Sequence, residues 1–313
     1  MKHYSKRLKN YFIYTGVRVL IIVHSLVPRT IGLMFFGIIG TIAFCFPHKE
    51  KRRTIENLTF IFGNDWSQKK IMTIARNVYR DLGKNAFDAL YFYKHRETRL
   101  RQLVHCEDLS AFRQTYDNGR GIMAITAHCG CFEMLLHYFA QQGFSCFAIG
   151  SRLYDKKLDT LVTRLRSGHN IFYVHRNENP RTLLKLLKEA KVMGALIDQD
   201  TRVDGVFAHF LGKLAYTPSG AVKMAMRYDI PLFVVTTVRR DNGMHCIFIS
   251  RELPLHTTGN EQEDLVRTIE TINNEIGTTI RRFPSQWVWM HQRWKRKPES
   301  MAYQDCPSIE RYS

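Results

Sequence analysis

Between residues 121 and 283 short apolar runs alternate with helical segments, and this alternation leaves the chain few architectures to choose from. Gly121–Ala127 (GIMAITA), Ser145–Ile149, Ile171–Val174, Gly194–Ile197, Leu232–Arg239 and His245–Ile249 read as strands rich in β-branched and aromatic residues. Phe132–Gln142, Lys157–Ser167, Arg181–Val192, Ser219–Tyr228 and Glu261–Phe283 read as the intervening helices. Residues 67–97 precede them as a further helix, with Ile71, Ile74, Ala75, Val78, Tyr79, Leu82 and Phe87 at three- and four-residue spacing. The expected fold is therefore mixed α/β: a largely parallel sheet flanked by helices, with a more antiparallel edge. Ligands of such sheets bind at the carboxyl ends of the strands. A hydrophobic share of 45% supplies a core for such a fold and excludes a disordered chain.

The first 53 residues break this pattern. They hold ten of the 46 Lys and Arg but only one acid, Glu50, and so carry half of the net charge of +18. Two apolar runs, Tyr11–Val27 and Ile31–Phe46, are separated by Pro28 and Arg29. Basic clusters flank both outer ends: Lys2, Lys6, Arg7 and Lys9 before, Lys49, Lys51, Arg52 and Arg53 after. The second run, sixteen residues without a charge, falls slightly short of the ~20 that cross a bilayer. With both ends preferring the cytoplasmic side, a re-entrant hairpin or interfacial helices on anionic headgroups satisfy the pattern better than one span. A cleaved signal peptide fits less well, because no small-x-small site follows and the apolar sequence resumes after Pro28. A buried hairpin in a soluble core is the plainer competitor. The expected division is a membrane-associating segment over 1–46 and a catalytic domain over 47–313.

Strand Gly121–Ala127 ends in a compact polar group: His128, Cys129, Gly130, Cys131, Phe132, Glu133. Five residues on one helix would leave His128 and Glu133 on different faces. If the strand ends at His128 and a helix starts near Glu133, the Gly130 turn folds them together. Glu133 could then orient the imidazole for general-base work. A structural histidine at a strand end is the plain alternative.

The stretch TAHCGCFE resembles the H-x4-(D/E) signature of glycerolipid-type acyltransferases, and among them the bacterial lipid A late acyltransferases. The resemblance continues in RTIENLTFIF (Arg53–Phe62), in Arg152–Arg166, and in HRNENPRTLLKLLKEA, which contains Arg176. It is closest in LIDQDTRVDGVFAHF with LGKLAYTPSG (Leu196–Gly220), and it closes with PSQWVWMHQR (Pro284–Arg293). Phe132, where Trp is frequent in the family, and Cys129 and Cys131 are departures. The resemblance implies transfer of a fatty acyl group from an acyl carrier protein thioester, or from acyl-CoA, to a hydroxyl of an anionic lipid A precursor. It implies no cofactor, a seat on the bacterial inner membrane and a catalytic domain facing the cytoplasm. His128 would be the base and Glu133 its orienting acid. Arg152 and Arg176 would face acceptor phosphates or the oxyanion. Asp198 and Asp200 would position Arg176 or a substrate hydroxyl.

Other readings of the same residues compete. His128, Cys129 and Cys131 could ligate zinc, but their spacing matches no usual site and no second pair lies near, so no metal is expected. Either cysteine could be an acyl-accepting thiol at a helix N-terminus. Trp287, Trp289 and Trp294 stand in Arg281–Lys297, which holds six basic residues and no acid. That stretch suits core aromatics beside a solvated tail, or a membrane interface, better than nucleobase stacking. Acylation of another glycolipid or a lysophospholipid, such as a phosphatidylinositol mannoside, remains the nearest enzymatic alternative. A basic lipid- or nucleic-acid-binding protein is the non-enzymatic one.

Overall fold

The computed structural model describes residues 27–150, 155–175 and 179–298, together with Thr15. Arg152 and Arg176, and the first apolar run up to residue 26 apart from Thr15, lie outside these residues.

Three helices open the described chain: α1 (Arg29–Cys45), α2 (Lys49–Phe62) and the long α3 (Gln68–Leu103). Strand β1 (Val104–Cys106) and α4 (Ser110–Asp117) follow. The alternating region then runs β2 (Ile122–Thr126), α5 (Leu135–Gln141), β3 (Cys146–Gly150), α6 (Lys156–Arg166), β4 (Ile171–His175), α7 (Pro180–Lys188) and β5 (Val192–Leu196). A hairpin, β6 (Gly205–Phe210) and β7 (Lys213–Pro218), precedes α8 (Gly220–Tyr228), β8 (Leu232–Arg239), β9 (His245–Ile249) and α9 (Glu261–Arg282).

Seven strands form one sheet in the order β1-β9-β8-β2-β5-β3-β4. The pairs from β8 through β2, β5 and β3 to β4 are parallel, and β9 turns antiparallel to β8. The expected mixed sheet with an antiparallel edge is observed. Because successive side chains of a strand face opposite ways, the central strand β2 feeds two cores. Met123 and Ile125 join Val234 and the α9 residues Ile269, Ile272 and Ile276 on one face. Ile122 and Ala124 join Phe112, Phe139 and Val235 on the other.

Two differences from expectation have local causes. The helix expected over Arg181–Val192 stops at Lys188, because Ala190 takes a left-handed φ of 58° and the chain turns into β5 two residues early. The β6–β7 hairpin was not anticipated. Its tight turn at Leu211 and Gly212, both at positive φ, lies inside the stretch that was read only as a family motif.

Helix α1 packs along α3 at close range. A Cβ on Gly40 would lie 2.1 Å from the Tyr79 carbonyl oxygen, and one on Gly83 would lie 2.1 Å from that of Phe36. Glycine at both places lets the backbones meet. Arg29 at the start of α1 donates from Nε to Asp88 of α3 at 2.8 Å. Asp88 is wholly buried and also accepts from Arg239 and His245, which ties α1 to the sheet through β8 and β9. The outer face of α1, with Ile31, Phe35, Ile39 and Ile42, is exposed. Among the described residues no single helix is long and apolar enough to cross a membrane; α1 and α2 meet that description only as a pair bent by 89°.

Trp287, Trp289 and Trp294 are buried with Phe62 and Phe210, so the membrane-interface reading of this stretch gives way to core packing. Arg293, fully buried among them, donates to the Tyr216 carbonyl at 2.5 Å and to Thr217 Oγ1 at 2.7 Å.

Candidate active site

Parallel pairing sets the site. Thr126 of β2 stands opposite Leu196 of β5, so two residues further on His128 and Asp198 emerge side by side at the carboxyl edge of the sheet. His128 Nδ1 lies 2.7 Å from Asp198 Oδ1, and the His128 backbone N–H donates to Asp198 Oδ2 at 2.8 Å. Trp287 Nε1 donates to the same oxygen, also at 2.8 Å. Asp198 is entirely buried. Burial alone would raise its pKa. The adjacent His128 and the hydrogen bonds from His128 and Trp287 outweigh this and hold the carboxyl at about 2. Burial pushes the imidazole pKa down, but Asp198, and more weakly Glu133, bring the net shift upward. With Nδ1–H donated to an ionised carboxylate, Nε2 carries the free lone pair.

The turn after His128 needs glycine. Gly130 has φ +56°, and a Cβ there would lie 2.2 Å from the Thr237 carbonyl oxygen. Its N–H donates to the Gln286 carbonyl at 2.8 Å, and Asn85 Nδ2 donates to its carbonyl at 2.9 Å. A short 3-10 turn over Phe132–Met134 then leads into α5. The Phe132 ring meets His128 edge-on, with centroids 4.8 Å apart.

Glu133, expected on the imidazole, is instead engaged by Arg166. The guanidinium holds it bidentately, Nε to Oε2 at 2.9 Å and Nη2 to Oε1. The orienting position on Nδ1 belongs to Asp198, because β5 runs directly beside β2. Asp200, expected near Arg176 or a substrate hydroxyl, pairs with Arg296 at 3.2 Å.

Two residues that sequence reasoning missed complete the site. Gln199 Nε2 lies 3.0 Å from His128 Nε2 and 3.1 Å from Nδ1, hence along neither lone pair, and 2.6 Å from His291 Nε2. Burial, and then the nearby His128, push the His291 pKa down to about 4, so this second imidazole is neutral. Asn57 Nδ2 donates to the carbonyls of Trp289 and His291 and fixes the closing segment against α2. Both missed residues stand inside quoted blocks, DQD and PSQWVWMHQR, and that position was the signal available. Cys129 and Cys131 are buried, and desolvation pushes the Cys129 thiol up to about 12 and Cys131 higher still. Neither is a poised thiolate.

Beside Phe132 a cavity of about 200 Å³ opens between α5 and the sheet. Ala124, Gly194 and Ala148 stand in one row across three strands and form part of its wall, with Leu136, Phe139 and Val192. Thr126, Glu133, Arg166 and Tyr173 supply its polar lining. A half-buried histidine on a buried aspartate at the carboxyl edge of the sheet, with an apolar cavity alongside, suits proton transfer to and from a group attached to hydrocarbon.

Comparison with known sequences agrees with this chemistry. The family model described as bacterial lipid A biosynthesis acyltransferase matches residues 1–296. The chain belongs to that family. Among curated relatives of this acyltransferase is a lipid A biosynthesis palmitoleoyltransferase of Escherichia coli (strain K12), 25% identical over 279 residues, which are 87% of this chain and 88% of the relative. A lipid A biosynthesis acyltransferase of Shigella flexneri matches with the same identity and coverage. The expected family is therefore the one found.

Proposed function

We propose that this family member transfers a fatty acyl group from an acyl carrier protein thioester to a hydroxyl of a lipid A precursor, with His128 as general base. The observation that carries the proposal is the His128–Asp198 pair beside an apolar cavity. Asp198 fixes the Nδ1–H tautomer, and Nε2 accepts the acceptor hydroxyl's proton as its oxygen attacks the thioester carbonyl. The tetrahedral intermediate then collapses. The C–S bond breaks, and the departing thiolate recovers the proton from His128. Gln199, with its amide nitrogen 3.0 Å from His128 Nε2, is the nearest side-chain donor for the oxyanion. Glu133 anchors Arg166 at the cavity, and its charge favours the imidazolium formed in the first step.

The cavity takes the distal part of the acyl chain. Its volume exceeds the ~150 Å³ of an engineered cavity that admits benzene. The net charge of +18 favours an acidic carrier protein and an anionic acceptor. Arg152 and Arg176 are assigned to acceptor phosphates on the family resemblance alone. The exposed apolar face of α1 and the basic N-terminal clusters fit a seat on the cytoplasmic face of the inner membrane.

The test uses full-length protein, lipid A precursor, and carrier protein charged with chains of several lengths, with acyl-CoA in a parallel arm and products read by mass spectrometry. Transfer from the carrier, reduced about 10²- to 10⁴-fold in His128→Ala, is expected. Wild-type turnover in that variant overturns the mechanism, and transfer from acyl-CoA alone overturns the donor.

A further inference from the structure

A second, larger cavity lies away from His128, between the apolar helix α1, helix α3, the β8–β9 turn and the segment after α9. Its volume is about 830 Å³, within the range of ligand pockets. None of His128, Asp198, Gln199 or His291 lines it. One wall is hydrocarbon: Leu33, Met34 and Ile38 of α1. The rest of the lining holds six basic residues, Arg29 at the start of α1 and Arg80, Lys84, Arg239, Arg240 and Arg282 from other elements, against two acids, Asp81 and Asp241.

Four of the six are paired, Arg240 among them with Glu107 at 3.2 Å, while Lys84 and Arg282 have no carboxylate partner among the described residues. Arg29 and Arg239 share the single carboxylate of Asp88. Arg239 is only 7% exposed, and its Nη1 is buried without a hydrogen-bond partner. A buried guanidinium N–H left unpaired is costly and calls for an acceptor. Asp81 is taken by Arg80 at 3.5 Å and by Ser285 Oγ at 2.6 Å. Lys84, whose stem passes over Gly37 of α1, has no carboxylate within ion-pair distance among the described residues. Desolvation, and then Arg80, lower its pKa, and the charges of Asp81 and Asp241 offset this only in part. Arg282 lies against the rings of Phe248 and Phe283 rather than an acid.

We infer that this cavity binds a membrane amphiphile with a phosphate headgroup of net negative charge, its phosphate received by Lys84, Arg282 and Arg239 Nη1 and its chain lying along Leu33, Met34 and Ile38. Guanidinium and ammonium groups converging behind an apolar wall match an anionic headgroup with hydrocarbon attached. Inorganic phosphate would use only half of such a site. A folded acidic protein, carrying its carboxylates on a convex surface, would not reach Arg239. The inference stands independently of the acyl-transfer reading, since it uses none of those residues.

The experiment titrates full-length protein in neutral detergent with dioctanoyl phosphatidylglycerol, dioctanoyl phosphatidylcholine and inorganic phosphate, following one-to-one adducts by native mass spectrometry. Saturable binding of phosphatidylglycerol, at least tenfold tighter than either of the others, is expected. Lys84→Gln combined with Arg282→Gln should weaken it at least tenfold while the lipid-free melting temperature stays within a few degrees. Equal affinity for phosphatidylcholine overturns the charge requirement, and equal affinity for phosphate overturns the apolar wall. Displacement of the lipid by acyl carrier protein assigns the cavity to a protein and overturns the proposal. If the double variant misfolds, the three wild-type titrations still decide.

Discussion

At the scale of single residues, the decisive contact joins side chains seventy positions apart, His128 and Asp198. Both were legible as polar residues at strand ends, and their partnership was not. Glu133 was the nearer carboxylate in sequence, but strand adjacency decides which carboxylate reaches Nδ1, and β2 lies beside β5. Trp287, filling the core behind Asp198, supplies the third hydrogen bond that keeps this buried carboxylate ionised. The pH dependence follows. The base works only when neutral, and Asp198 raises its pKa above the ordinary imidazole value of ~6.5. The acid limb of kcat/KM should therefore lie above ~6.5, with activity rising as pH rises through it. Asp198→Asn removes the charge that favours imidazolium, so the limb should move to lower pH while kcat falls by about 10²- to 10⁴-fold. A pH–rate profile of both proteins checks this. An unmoved limb with unchanged kcat would remove Asp198 from the mechanism.

At the scale of elements, the period of the hydrophobic pattern carried most of the information. The strands and helices between residues 121 and 283 follow it closely because the central strands β2 and β8 are buried on both faces. The exceptions were short or turn-driven: the three-residue β1, and the β6–β7 hairpin whose alternation is hidden among motif residues. Strand β5 also holds a feature that sequence alone leaves mute. Gly194 sits at its centre, and a Cβ there would lie 3.4 Å from Leu136 Cδ2, in ordinary contact at the cavity wall. A glycine in a strand interior gives up packing and chain rigidity, and its gain is room for a close neighbour. Gly194→Val keeps the strand but projects its methyl groups into the cavity. Product analysis should show preference shifting toward shorter acyl chains, with long-chain kcat/KM falling about tenfold or more and the shortest chain little changed. An unaltered chain-length profile would mean that the acyl group lies elsewhere.

At the scale of the whole molecule, composition and packing divide the chain differently. The basic and apolar character of residues 1–46 marks them as a segment apart, and the proposed membrane seat relies on that character. Packing runs across residue 46. Gly32, Gly40 and Phe44 of α1 are buried, Phe36 stacks on Phe87 of α3, and Arg29 neutralises the buried Asp88. Arg29 is one of two guanidiniums on Asp88, so its loss leaves the Arg239 pair in place and the cost falls mainly on the packing of α1 against α3. Deleting residues 1–46 should therefore expose the apolar face of α3, leave Asp88 to Arg239 and His245 alone, and yield protein that aggregates or melts at least several degrees lower. Deleting residues 1–26 leaves α1 and Arg29 in place. That shorter truncation should melt above the 1–46 deletion and still bind anionic vesicles through α1 and Lys49, Lys51, Arg52 and Arg53. The binding should be weaker than that of the full chain and should decline as salt screens the charges. Thermal melting and vesicle co-sedimentation of the two truncations separate the roles. Were the 1–46 deletion to melt like the full-length protein, α1 would be an appendage on the fold rather than a wall of it, and the cavity it shares with Lys84 would lose its structural basis.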